Sequence, residues 1–257
     1  MLLGAIVGFS LGLMGGGGSI LTVPLLVYVV GESVVAAIST SLAIVGLSAL
    51  IGCVSHWRAQ RVAVKTGIVL GLTGTIGAVG GTWLGHLVPG QQILFLFALL
   101  MLVVAAVMYR GASTQMGERT ETKESGSRPW PAIVLTGVAV GVLTGFFGVG
   151  GGFVIVPALV IVLRLPMRLA VGTSLLVIAI NSGAALAAHL RYGGIDLGTV
   201  ALFVTGGSVG ALVGTRLAGR VPEARLRQTF AAGLVVVAVY LMARNHPSLP
   251  ALLILLR

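Results

Sequence analysis

Two runs of glycine stand inside long apolar segments: Gly15-Gly16-Gly17-Gly18, followed by Ser19, and Gly148-Val149-Gly150-Gly151-Gly152. A glycine presents its backbone N–H with no side chain in front of it. Successive N–H groups at the start of a helix attract an anion through their partial positive charge. Hydroxyl and amide donors accompany both runs, Thr40-Ser41 in the first half and Thr173-Ser174 and Asn181 in the second. Such residues either reach a ligand or bond to neighbouring helices. Histidine as a residue type titrates near neutral pH, which suits His56 and His189 to proton coupling, although a histidine at a helix end also serves as an interfacial anchor. Cys53 and His56 lie one helical turn apart, half of a metal site without further ligands. No nucleophile–base pair or metal cluster stands within the apolar segments, so neither an enzyme nor a cofactor is expected. The chemistry left is the holding of a small anion by backbone N–H groups and hydroxyls.

The elements that carry these residues are membrane helices. The chain has 257 residues, 57% hydrophobic and 9% charged, with a mean hydropathy of +1.10. Soluble domains carry about 25% charged residues. Uncharged stretches such as Ile93–Tyr109 and Thr229–Ala243 read as bilayer spans. The net charge of +10 does not indicate nucleic acid, because the 16 Lys and Arg residues are scattered between apolar segments rather than gathered on one face. One cysteine allows no intrachain disulfide. The first apolar run starts at Leu2 without a basic leader, so no cleavable signal peptide is expected.

The chain is written twice. An offset of 133 residues aligns Gly8, Gly12, Gly15, Gly17, Gly18 and Pro24 with Gly141, Gly145, Gly148, Gly150, Gly151 and Pro157 without a gap. The same offset aligns Thr40-Ser41-Leu42 with Thr173-Ser174-Leu175, His56 with His189, and Gly74, Gly77 and Gly81 with Gly207, Gly210 and Gly214. The last six read as packing glycines. The division is an N-terminal repeat over 1–110, a polar linker over 111–129, a C-terminal repeat over 130–245 and a short tail over 246–257. Four elements are predicted in each copy: 2–30, 34–54, 66–88 and 92–109, then 131–163, 168–189, 197–219 and 226–243.

The glycine runs interrupt the first element of each copy, since each glycine costs a helix about 1 kcal/mol relative to alanine. About 12–14 apolar residues remain on either side, about 20 Å of helix against a hydrocarbon core of about 30 Å. The first element is therefore expected to be re-entrant or discontinuous. If it crossed once, the copies would be parallel and the basic residues would divide ten to six between the two faces. If it returns, the copies are inverted and the division is thirteen to three. The expected fold is an all-α, polytopic transmembrane bundle of two inverted-topology repeats, each a glycine-broken first helix plus three spanning helices. The linker faces the cytoplasm and both termini lie outside. Inverted repeats with discontinuous helices hold their substrate near the midplane, between the copies.

These features resemble the sulfite exporter TauE/SafE family of membrane permeases. The glycine signature with its apolar run and proline occurs as GGGGSILTVP and GVGGGFVIVP, each followed by Thr-Ser-Leu and then a histidine. The loop His189-Leu-Arg-Tyr-Gly-Gly-Ile-Asp196 resembles the family pattern; the first copy departs from it, with Arg61 in place of Gly194 and Ala63 in place of Asp196. The resemblance implies a bacterial-type inner-membrane transporter with eight hydrophobic segments, exporting sulfite or small organosulfonates. An anion channel, or a permease for another small anion such as a carboxylate, is the alternative. The expected partners are the small anionic substrate, the bilayer and, through the histidines, a proton or other coupling ion; a homo-oligomer is compatible with all of this.

Overall fold

The computed structural model describes residues 1–16, 18, 22, 25–32, 34–85, 87–88, 90–114, 130–147, 152–189 and 197–244. No strand occurs among them. The helices are α1 (Leu2–Met14), α2 (Val34–Arg58), α3 (Val64–Gly85), α4 (Gly90–Thr114), α5 (Trp130–Phe147), α6 (Gly152–Pro157), α7 (Met167–His189), α8 (Leu197–Ala218) and α9 (Glu223–Arg244). Single π-helical turns occupy Leu26–Val30 and Ala158–Val162. Among the described residues, α2, α3, α5, α7, α8 and α9 are long and apolar enough to cross a bilayer, while Leu2–Met14 and Phe95–Arg110 are shorter apolar stretches. The chain is thus built as an all-α, multi-pass membrane bundle.

The first element of the first copy is interrupted at its glycines. α1 ends at Gly15, whose φ of 76° is left-handed and whose N–H closes the last turn on the Leu11 carbonyl at 2.7 Å. Glycine reaches that conformation without a Cβ penalty. In the second copy helix is described as far as Phe147 and again from Gly152. α5 is longer than the sequence suggested: 18 residues, or about 27 Å, approach a full crossing. Pro131 stands in its first turn, where a missing N–H leaves no hydrogen bond broken. Where the chain resumes, Pro157 removes an N–H inside the helix and a π-turn follows it. Each π-turn ends on a left-handed residue, Gly31 (φ 83°) and Arg164 (φ 50°), which are matching positions of the two copies. The closing bonds match as well, Glu32 N–H to Leu26 O at 3.1 Å and Leu165 N–H to Leu159 O at 2.9 Å.

The predicted helix ends shift by a few residues. α2 runs on to Arg58 and takes in His56, and α4 continues through Gly111–Thr114, where the linker was expected to begin. The rest of the linker, 115–129, and the tail lie outside the described residues.

Amphipathicity is inside out. In α3 the large residues Ile68, Leu72, Ile76, Val79 and Trp83 recur every three or four positions and are exposed, forming a lipid-facing stripe. The opposite faces carry glycine, which lets backbones touch. A Cβ at Gly4, Gly8 or Gly12 of α1 would run into the carbonyl of Phe203, Gly207 or Ala211 of α8. In the other copy, Gly141 and Gly145 of α5 stand in the same way against the carbonyls of Gly74 and Ala78 of α3. The expected packing glycines Gly77, Gly81, Gly210 and Gly214 also lie against backbone, and Gly207 lies against Ser48.

The order of contacts gives the directions. α1 runs parallel to α8, and α5 parallel to α3. α2 also runs with α8, Ser48 meeting Gly207 and Gly52 meeting Ala211, and α7 runs with α3, Gly67 meeting Leu176 and Gly71 meeting Ile180. α2 and α7 cross in the opposite sense: Gly46 meets Ser182, Gly52 meets Leu175 and His56 meets Gly172. Because α1 and α2 both run with α8, the chain between them doubles back. Each half lends its first helix to the third helix of the other half, so the two halves interlock.

Backbone contact at the glycine stripes yields a direct test. Gly8→Ala and Gly141→Ala are each expected to lower stability by about 1–3 kcal/mol through overpacking. Gly80→Ala, on an exposed face with open space around it, is expected to be neutral or to raise stability by up to about 1 kcal/mol through helix propensity. Thermal unfolding in detergent reads the three variants side by side.

Candidate functional site

The two glycine breaks touch. A Cβ built on Gly152, the first residue of α6, would stand 3.0 Å from the Cα of Gly16 and 2.9 Å from the Cδ1 of Ile178. Ile178 lies halfway along α7 (Met167–His189), so the contact is at the middle of a spanning helix. Gly15 sits on the same helix a turn earlier, where its Cβ would meet the Ser174 hydroxyl and, at 2.9 Å, the Val171 Cα. Gly18 has already turned back: a Cβ there would strike the Val7 carbonyl and lie 2.6 Å from Leu11 Cγ. The Thr22 hydroxyl donates to Gly18 O at 2.8 Å, helping to hold the returning segment. Of the residues expected at this site, Gly17, Ser19, Gly148, Gly150 and Gly151 lie outside the described set.

The hydroxyls divide into those already engaged and one without a partner. Ser174 Oγ lies 2.8 Å from both Gly15 O and Val171 O, so its proton serves the end of α1 or its own helix. Thr173 Oγ1 accepts from the Ala63 N–H at 2.9 Å and ties the loop after α2 to α7. In the first copy, Thr40 and Ser41 are buried, and the Thr40 hydroxyl has no hydrogen-bond partner among the described residues. Asn181 links α7 to α3, its Oδ1 accepting from the Thr75 hydroxyl at 3.2 Å. Sequence reasoning missed its counterpart. Subtracting 133 from Asn181 gives Ser48, whose buried hydroxyl also has no described partner and rests on Gly207, as Asn181 rests on Gly74.

His56 is not an interfacial anchor. It is fully buried in the last turn of α2, with Nε2 3.1 Å from the Gly12 carbonyl. A carbonyl only accepts, so Nε2 carries the proton and donates. Gly12 O belongs to the last turn of α1, where carbonyls lack intrahelical partners. His56 therefore caps the helix that the glycines cut short, while its Nδ1 is buried without a partner among the described residues. Gly172 makes room for this arrangement, since a Cβ there would press on His56 Cβ at 3.0 Å and run into Arg61 O. His189 ends α7, and its side chain lies outside the described set.

Apart from His56 and Arg227, the buried polar side chains among the described residues are serine and threonine hydroxyls. The crossing is thus a weakly polar place built from backbone and hydroxyls. An anion there would be met by dipoles rather than by a fixed counter-charge.

Comparison with known proteins agrees with this architecture. The family model described as Sulfite exporter TauE/SafE matches residues 1–241. A probable membrane transporter protein of Xylella fastidiosa strain Temecula1 is 39% identical, covering 96% of this chain and 95% of its own. A relative of the same description from X. fastidiosa strain 9a5c is 37% identical over equal shares. The probable membrane transporter protein YdhB of Bacillus subtilis is 29% identical, with 86% of this chain and 90% of its own covered. No solved structure matches the chain. Interrupted first helices, lipid-facing apolar stripes and a family match over almost the whole length converge: the chain belongs to the sulfite exporter TauE/SafE family of membrane transporters.

Proposed function

We propose that this transporter is a secondary exporter of a small sulfur oxyanion or organosulfonate, sulfite-like in size and charge, with its site where the two glycine breaks cross near the bilayer midplane. The observation that carries the reading is the apposition of Gly16 and Gly152 beside the centre of α7. Interrupted backbone at membrane depth is tolerated where protein or a water-filled cavity surrounds it, and discontinuous helices are where transporters hold their substrates. The antiparallel crossing of α2 and α7, which are matching helices of the two copies, supports inverted repeats. So does the doubling back of the chain after α1. Inverted copies place thirteen of the 16 basic residues on one face, which supports a cytoplasmic linker, external termini and insertion in the inner membrane.

The sulfur oxyanion itself is supported by the family description. Backbone N–H groups and the hydroxyls of Thr40, Ser41, Thr173 and Ser174 suit an anion that needs several donors and no fixed cation. The anion would pass between the copies as they rock against one another around the crossing. His56 acts first as the cap on Gly12 O and so holds the broken end of α1 in place.

Three measurements test this. In proteoliposomes, sulfite flux should saturate and support counterflow, and Gly152→Leu, whose side chain would fill the crossing, should lower it at least tenfold while the protein remains monodisperse in detergent. Flux at the wild-type rate in that variant would place the site elsewhere. Cysteines introduced at Ser125 and Ser248 in a Cys53→Ser background should be labelled from opposite faces, Ser125→Cys only from the cytoplasm; labelling from one face refutes the inverted arrangement. Finally, His56→Leu should destabilise the protein by about 1–3 kcal/mol by orphaning Gly12 O. His56→Gln, which can still donate, should retain most of the stability and of the transport.

A further inference from the structure

We infer that the groove between the ends of α2 and α8 is a binding site for an anionic phospholipid. A hollow of about 470 Å³ lies there, lined by Leu50, Val54, Ser55 and Arg58 of α2 and Leu212 and Arg216 of α8. Room for roughly fifteen waters at ~30 Å³ each is more than a small oxyanion fills, so this is not a second substrate site. Leu50, Val54 and Leu212 are exposed and stand where an acyl chain would lie. α2 and α8 run parallel, and Arg58 and Arg216 both belong to the last turns of their helices. The groove therefore has an apolar wall with two guanidinium groups and a hydroxyl at one end.

Among the described residues the charge is uncompensated. Neither arginine has an ion pair or hydrogen bond among the described residues. The acidic residues in that set are Glu32 and Glu223, and Glu223 accepts from the Arg168 backbone N–H. Arginine pairs with phosphate in a bidentate fork, and basic pockets between membrane helices take lipid headgroups.

The repeat supplies the second argument. The position matching Arg216 in the other copy is Trp83, which is exposed and has no charge. The pair of arginines is thus not repeated in the other copy, where Arg191, which matches Arg58 and lies outside the described residues, is matched with Trp83 instead of a second arginine. On the inverted topology proposed above the charged end of the groove is cytoplasmic, facing the leaflet whose surface is negative. The phosphate would sit between Arg58 and Arg216 with the Ser55 hydroxyl donating, and the chain would run along Leu50, Val54 and Leu212.

The test measures thermal stabilisation of the full chain, purified in a neutral detergent, on adding phosphatidylglycerol, phosphatidylcholine or inorganic phosphate. Phosphatidylglycerol should raise the midpoint, and the other two should leave it unchanged. Arg58→Gln with Arg216→Gln should weaken the apparent phosphatidylglycerol affinity roughly tenfold or more. Leu212→Trp, which fills the groove and keeps both cations, should do the same. Arg220→Gln with Arg225→Gln, exposed cations outside the groove, should retain the wild-type response. The inference is overturned if neither groove variant differs from wild type, if phosphatidylcholine is as effective, or if inorganic phosphate reproduces the shift. None of these readouts depends on which anion is transported.

Discussion

A helix cut short inside a bilayer leaves carbonyl groups that lipid cannot satisfy, and the way this chain meets that constraint organises everything around it. At the end of α1, Leu11 O is taken by the Gly15 N–H and Gly12 O by His56, and the Ser174 hydroxyl stands within reach of Gly15 O. The last two donors come from α2 and α7, the pair of helices at the centre of the bundle. They reach α1 because glycine stripes bring helix backbones into contact, α1 onto α8 and α5 onto α3. Break, caps and stripes therefore depend on one another. A helix that could not approach its partner so closely could not have its broken end capped from across the bundle.

Much of this was legible in the residues. The 133-residue offset predicts which helices correspond, and the packing respects it: α1 on α8 has its counterpart in α5 on α3, and α2 on α8 in α7 on α3. Clustered glycines located the interruption after α1, because each costs a helix about 1 kcal/mol relative to alanine. What remained hidden depends on distance across the fold. His56 looked like an anchor because it sits at a helix end, yet its side chain turns inward onto the broken end of α1. Ser174 and Thr173 read as ligand donors; hidden was that each also meets a partner in the protein, Gly15 and Ala63, more than a hundred residues away. Ser48 was passed over although the offset pairs it with Asn181. Serine and asparagine do not look alike in an alignment, and only their shared seat on a glycine of the third helix shows that they match.

The two copies have drifted where the constraint is weakest. The left-handed residue after each π-turn is Gly31 in one and Arg164 in the other, so one copy accepts the strain of a side chain at positive φ. The closing bond one residue later is kept in both. Arg216 and Trp83 differ on the exposed outer surface, where no close backbone contact fixes the residue. The facing glycines and the caps admit no such freedom, because the penalty there is a backbone clash or an unsatisfied carbonyl.

On the function proposed above, the protein must bind its ion and also release it. A buried arginine at the crossing would hold an anion strongly and would itself be expensive at membrane depth when the anion had left. Backbone dipoles and hydroxyls avoid both problems. They need no counter-ion in the empty state, since neighbouring helices or water can satisfy them, and each contributes a modest hydrogen bond that can be exchanged one at a time. Small donors also let two backbone segments lie in contact, as Gly16 and Gly152 do, so the crossing can close when nothing is bound. By this argument, glycine is needed at the breaks for two reasons at once: it ends the helix, and it keeps the freed N–H groups clear of any side chain that would stand between them and an anion.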